Sequence, residues 1–78
     1  MIMDVNDFIK NFADELESTE LSELNPQTNY RELDEWDSLV GLAIMGMVKN
    51  KYHVKITGAE VKDCKSIQEL FDLVVSRA

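Results

Sequence analysis

Apolar side chains recur at Val5, Phe8, Ile9, Phe12 and Leu16, with acids between and after them, which is the spacing of one face of an α-helix. With Asp4 as a natural N-cap, this pattern predicts a first helix over residues 4–17. From Ser18 to Trp36 the periodicity breaks: Asn25-Pro26 stops a helix, and Ser, Thr and Asn are frequent. So long a connection in a small domain needs anchors. Leu21, Leu24, Tyr30, Leu33 and Trp36 are placed to pin it to the helices, with a short turn expected near Tyr30–Leu33. A second helix is expected from about Ser38 to Lys51, apolar almost all round through Leu39, Val40, Leu42, Ala43, Ile44, Met45, Met47 and Val48. Thr57-Gly58-Ala59-Glu60 has the S/T-x-x-E form of a capping box and opens a short third helix. Ser66-Ile67-Gln68-Glu69 repeats the signature and opens a last helix with Ile67, Leu70, Phe71, Val74 and Val75 on one face. Tyr52–Ile56 has some β-character and is read as an extended link. The fold class is therefore all-α: a small four-helix bundle, three helices longer and the third short, with a long first loop, in a single domain over residues 1–78.

Length changes how the second helix is read. In 78 residues too little chain exists to wrap it on every side. Part of its apolar surface must be exposed or covered by a partner. Val40, Ile44, Met45 and Met47 are the candidate partner-facing residues; methionine suits an adaptable contact and fills core gaps equally well, so both readings stay open. Gly41 and Gly46 weaken this helix intrinsically, and either permit close approach of another molecule or are tolerated by packing. A domain this small has little room for a deep active site, which favours a binding or carrier role.

Charge narrows the partners. Fifteen acidic against eight basic side chains give a net charge of −7, which disfavours nucleic acid and suits either basic partner surfaces or plain solubility. The imbalance is confined to residues 1–36, with ten acids and two bases, whereas residues 37–78 hold five acids and six bases. One cysteine, Cys64, excludes an internal disulfide framework. The opening MIMDVNDF lacks a basic and apolar leader pattern, and the apolar run Leu39–Val48 is about half of what a bilayer span requires. A soluble, cytoplasmic monomer without membrane insertion is the expectation.

The search for chemistry proceeds mostly by exclusion. There is no P-loop or Gly-x-Gly-x-x-Gly pattern, and one His and one Cys make no zinc site, so no metal is expected. Ser38 and His53 lie at opposite ends of the second helix, roughly 20 Å apart along its axis, too far for a hydrolytic pair. His53 reads as an ordinary surface or half-buried residue and Cys64 as a small core hydrophobe. Asp37-Ser38-Leu39 remains. A serine in the first turn of a helix lies where backbone N–H groups are unpaired and the dipole is positive, so a phosphate ester there is favoured twice. Leu39 is read as anchoring the turn by pointing into the core. The bland alternative is that Asp37 or Ser38 only caps the helix.

Over nearly its whole length the chain resembles the acyl carrier protein family, including peptidyl carrier domains. The resemblance rests on one amphipathic helix, the long loop, the string Glu35-Trp36-Asp37-Ser38-Leu39 at the head of the second helix, and a short third and final amphipathic helix entered through Val54-Lys55-Ile56-Thr57 and Ser66-Ile67-Gln68-Glu69-Leu70. It implies that a phosphopantetheinyl transferase, using coenzyme A, esterifies Ser38 with a 4'-phosphopantetheine arm whose thiol holds acyl groups as thioesters. It implies that Asp37 assists recognition by that transferase. Such a protein is a non-catalytic shuttle. Its partners would be acyl-activating ligases, acyltransferases or synthases. The family shelters its acyl chain between the second and third helices, where Leu42, Val48, Ile56, Ala59 and Cys64 are the matching positions, and core packing explains these residues equally well.

One departure is informative. Fatty-acid members of the family carry acids along the second helix that dock onto basic enzyme patches, whereas here Val40 and Ala43 stand where acids are common and Lys49 and Lys51 reverse the sign. Docking is then expected to depend on apolar contact with shallow salt dependence, in a carrier dedicated to one pathway. Fatty acid, polyketide or a related specialised synthesis all remain open, as do an aminoacyl or peptidyl carrier and a helical interaction module that never receives an arm.

Overall fold

Each helix begins where a side chain captures one of its unpaired N–H groups. In the computed structural model, which describes residues 4–78, the helices are α1 (Val5–Asp14), α2 (Ser38–Tyr52), α3 (Gly58–Asp63) and α4 (Ile67–Arg77), with single 3-10 turns at Leu21–Glu23 and Tyr30–Glu32. The first three residues of the stretch read for a leader lie outside the described residues. Asp4 Oδ1 accepts from the Asn6 N–H at 2.9 Å, and Asp37 Oδ1 accepts from the Val40 N–H at 2.9 Å. Thr57 and Glu60 close the expected capping box at 3.1 and 2.9 Å. Ser66 Oγ accepts from the Glu69 N–H at 3.1 Å. Among the described residues there is no strand, and the expected all-α bundle with one short third helix is what is found. No described helix is long and apolar enough to cross a membrane.

Two boundaries differ from expectation. α1 stops at Asp14 rather than residue 17, because the Glu17 and Ser18 N–H groups donate to the Glu35 carboxylate at 2.7 and 3.0 Å instead of continuing the helix. α2 runs on to Tyr52 and is closed by His53, whose N–H donates to the Lys49 carbonyl at 3.1 Å. His53 has φ 58°, the one left-handed non-glycine residue among those described, and its side chain is exposed. In the stretch that follows, which is neither helix nor strand, Val54 and Ile56 turn inward to 3% and 2% exposure while Lys55 faces out.

The core forms where the helix faces meet. Phe8, Phe12, Ile44, Val48, Ile67, Leu70 and Val74 are wholly enclosed. Aromatic rings link the elements, Phe8 lying 5.4 Å from Phe71 and 5.5 Å from Tyr52 between centroids. Phe8 and Phe71, both buried, each stabilise the fold by about 2–3 kcal/mol through burial.

The long loop, residues 15–37, is part of this core rather than a strap over it. Leu24 and Tyr30 are buried, and Leu33 and Trp36 pack against them half-buried, as anticipated. Leu21 does not: it is 46% exposed, because the 3-10 turn carries it outward. Asn25–Thr28 forms a tight turn, with the Thr28 N–H on the Asn25 carbonyl at 3.0 Å. That turn aims the Pro26 and Thr28 carbonyls at the N-terminus of α4, where they accept from Gln68 and Ile67 at 2.9 and 3.0 Å. At the other side, the Tyr30 hydroxyl donates to the Val61 carbonyl and the Arg31 guanidinium donates to the Lys62 carbonyl at 2.6 Å, satisfying the C-terminal end of α3. Arg77 clamps Glu60 and also reaches the Lys55 carbonyl at 3.2 Å, joining the end of α4 to the start of α3.

Tyr30→Phe removes one hydroxyl and leaves the buried end of α3 short of a donor. It should lower stability by about 1–2 kcal/mol in urea unfolding. Leu42→Ala, on the exposed side of α2, should change it by less than about 0.5 kcal/mol.

Candidate functional site

The head of α2 is built by three consecutive residues held in different ways. Trp36 stacks on Phe12, with centroids 6.3 Å apart and planes 8° from parallel, and packs against Tyr30 at 4.9 Å. Asp37 is extended, accepts from Val40 through its side chain and, through its carbonyl, from the Gly41 N–H at 3.0 Å. Ser38 is then the first helical residue, and it is exposed. Its own N–H and that of Leu39 have no partner within a helix at this position, so the serine hydroxyl sits in a field that favours a negative group.

Beside Ser38 opens a cleft of about 480 Å³ between α2 and α3, lined by Trp36, Gly41, Leu42, Met45, Val61 and Lys62 among others. Its walls are mostly apolar, with Asp37 and Lys62 as the charged members. A methyl added at Gly41 would lie 3.7 Å from Trp36 Cζ2, an ordinary contact, so the glycine keeps the cleft open rather than relieving a clash. Nothing approaches within 4 Å of an added methyl at Gly46, where packing tolerates the glycine without requiring it.

The family model described as "Phosphopantetheine attachment site" matches residues 7–74. The chain belongs to the phosphopantetheine attachment site family. It is a carrier protein of the kind that takes 4'-phosphopantetheine covalently and meets partner enzymes such as synthases and the transferases that install the arm. No curated protein and no solved structure matches the chain. The head of α2 fits such an arm: a reachable hydroxyl at a helix start accommodates a phosphodiester, and an apolar cleft adjoins it.

The carrier's structure places the sequence-predicted residues unequally. Asp37 and Ser38 meet at the mouth of the cleft. Leu39 does not anchor the turn in the core; it is 75% exposed, since the first turn of α2 directs it away from α1 and α4. Of the expected partner-facing residues, Val40 and Met45 are half-buried, whereas Ile44 and Met47 are enclosed at 0% and 3% and cannot meet a partner. The exposed apolar side chains of α2 are Leu39 and Leu42. Among the positions matched to acyl shelter, Leu42 lines the cleft, Val48 and Ile56 are core, Ala59 is exposed, and Cys64 is half-buried against the core. Burial first, then Glu69, Glu60 and Asp63, push the Cys64 thiol up.

Sequence reasoning missed Trp36 and Lys62 as cleft walls and gave Glu35 no role of its own. The signal for Trp36 was its place directly before Asp37-Ser38; nothing local marks Glu35 among so many acids. Its carboxyl is held down at about 2, chiefly by the Thr19 hydroxyl, then by the Glu17 N–H and the donors of Ser18. Because the folded value lies below the ordinary 4.5, the stability it contributes is complete above about pH 4.5 and disappears as the pH falls towards about 2. Urea midpoints should therefore fall across that window, and Glu35→Gln should make the fall shallower.

Proposed function

We propose that this chain is an acyl carrier protein, non-catalytic itself, which carries the arm on Ser38. The observation supporting this is an exposed serine in the first turn of α2, directly after the capping Asp37 and at the mouth of an apolar cleft. When bound, the arm supplies a terminal thiol that holds cargo as a thioester. The modification is an esterification. Ser38 Oγ bonds to the pantetheine-bearing phosphorus of coenzyme A, the pyrophosphate bond breaks, adenosine 3',5'-bisphosphate leaves, and the serine proton passes to a base of the transferase. This chain contributes position: Asp37 holds the turn and presents the hydroxyl to the transferase, while the unpaired N–H groups of the turn favour the phosphodiester once formed. The apolar cleft beside Ser38 supports acyl rather than aminoacyl cargo, delivered by an acyl-activating ligase, acyltransferase or synthase of a dedicated pathway in the cytoplasm.

The partner surface is Leu39 and Leu42, exposed on a helix with no acid between Ser38 and Lys51. Apolar contact of this kind is weakly screened by salt. For an acyl-activating ligase that loads the wild type, Leu39→Ala/Leu42→Ala should raise KM about tenfold, while added salt alters the wild-type KM little.

Intact mass after incubation with coenzyme A and a broad-specificity phosphopantetheinyl transferase tests the attachment. A gain of one phosphopantetheine in the wild type, absent in a folded Ser38→Ala variant, is expected. An unchanged mass with several transferases would count decisively against Ser38 as the carrier residue. The variant should remain folded, since losing this serine costs at most about 1 kcal/mol.

A further inference from the structure

Glu35 lies on the approach to Ser38, and its carboxylate reaches back across the loop to residues 17–19. Oε1 accepts from the Glu17 N–H at 2.7 Å. Oε2 accepts from the Ser18 N–H at 3.0 Å, the Ser18 hydroxyl at 2.9 Å and the Thr19 hydroxyl at 2.7 Å. These bonds close the neck of the long loop. Next in the chain, the Trp36 N–H donates to the Leu33 carbonyl at 3.0 Å while its ring lies on Phe12, and Asp37 caps α2. Three successive residues before Ser38 are thus tethered to three different places.

The clasp is more than α2 needs. Asp37 alone supplies the cap that starts the helix, and the Phe12–Trp36 stack holds the neighbouring residue to α1. What the carboxylate adds is a fixed direction of entry for residues 35–37, tied to residues 17–19 at the neck of the loop. All the groups facing it are donors. A carboxylate is acceptor-only and can take all four, whereas an amide must turn its NH2 against either Glu17 N–H or Ser18 N–H.

We propose that Glu35 is a positioning residue for the modification of Ser38: by clasping residues 17–19 it fixes the segment that presents the serine hydroxyl to the transferase. The proposal rests on the reading of Ser38 as the attachment residue. It acts through geometry, because small displacements of a reacting group lower the rate of a chemical step far more than they weaken binding.

The test is steady-state kinetics of arm transfer to the full chain, with coenzyme A and the broad-specificity transferase, well below every variant's unfolding temperature. The set is wild type, Glu35→Gln, Thr19→Val and the double variant, with Ser38→Ala as control. Glu35→Gln should lower kcat about tenfold and leave KM within about twofold. Thr19→Val removes a donor but no charge, so it should lower kcat in the same direction. The double variant should be no slower than Glu35→Gln, because both changes break one clasp. A raised KM with intact kcat, disappearing at high salt, would make Glu35 a charge contact for the transferase and overturn the proposal. Unchanged kinetics in every variant, with only the urea midpoints lowered, would make it a structural tie and overturn it equally. Should Glu35→Gln fail to fold, Thr19→Val decides: a fall in kcat supports the clasp, and no fall refutes it. A wild type that accepts no arm would overturn the Ser38 reading and this inference together, whereas unchanged kinetics among modified variants overturn this inference alone.

Discussion

Tyr30 sits where the long loop, α1, α3 and the segment leading to Ser38 converge. Its ring is completely enclosed, 5.4 Å from Phe12 and 4.9 Å from Trp36, and its hydroxyl donates to the Val61 carbonyl. Burial is the main cause of its raised pKa, so the hydroxyl remains a protonated donor. The consequence is large for so small a domain. α3 is far too short to persist alone, and its C-terminal carbonyls would be left without partners if the loop did not supply Tyr30 and Arg31. The loop in turn has few other buried side chains to hold it against the loss of backbone entropy. One aromatic residue therefore connects the irregular part of the chain to the helices, and through Trp36 it connects the core to the site.

The second consequence concerns α2. Its inward residues Ile44, Met47 and Val48 are locked into the core, while Leu39 and Leu42 face outward. A carrier needs both properties from the same helix. The buried side fixes the serine at its head and, on the proposed reading, the outer side offers a surface to successive partners. On that reading, apolar rather than acidic exposure makes the surface less selective by charge, while the surplus of acids lies in residues 1–36.

The sequence was most informative where a structural decision is local. Asp4, Asp37, Thr57 and Ser66 each start a helix through a bond to an N–H two or three residues ahead, so chain order alone reveals them. Asn25-Pro26 announces its turn for the same reason, and Asp37-Ser38 at a helix start is visible without coordinates. The candidate site was thus legible at its centre and illegible around it. Glu35 closes a contact to residues 17–19 across the whole loop, and no local rule distinguishes it from its acidic neighbours.

The amino-acid sequence by itself determined the helix count, the capping residues, the integrated loop and the serine at the head of α2, because these follow from short-range hydrogen bonding and hydrophobic period. Only the tertiary structure decided which side of α2 is core, where α1 ends and which residues wall the cleft. A helix that is apolar on every side carries no phase in its sequence, so its orientation is set by the shapes of the neighbours that pack against it. That is why Ile44 and Met47 went inward and Leu39 and Leu42 were left exposed.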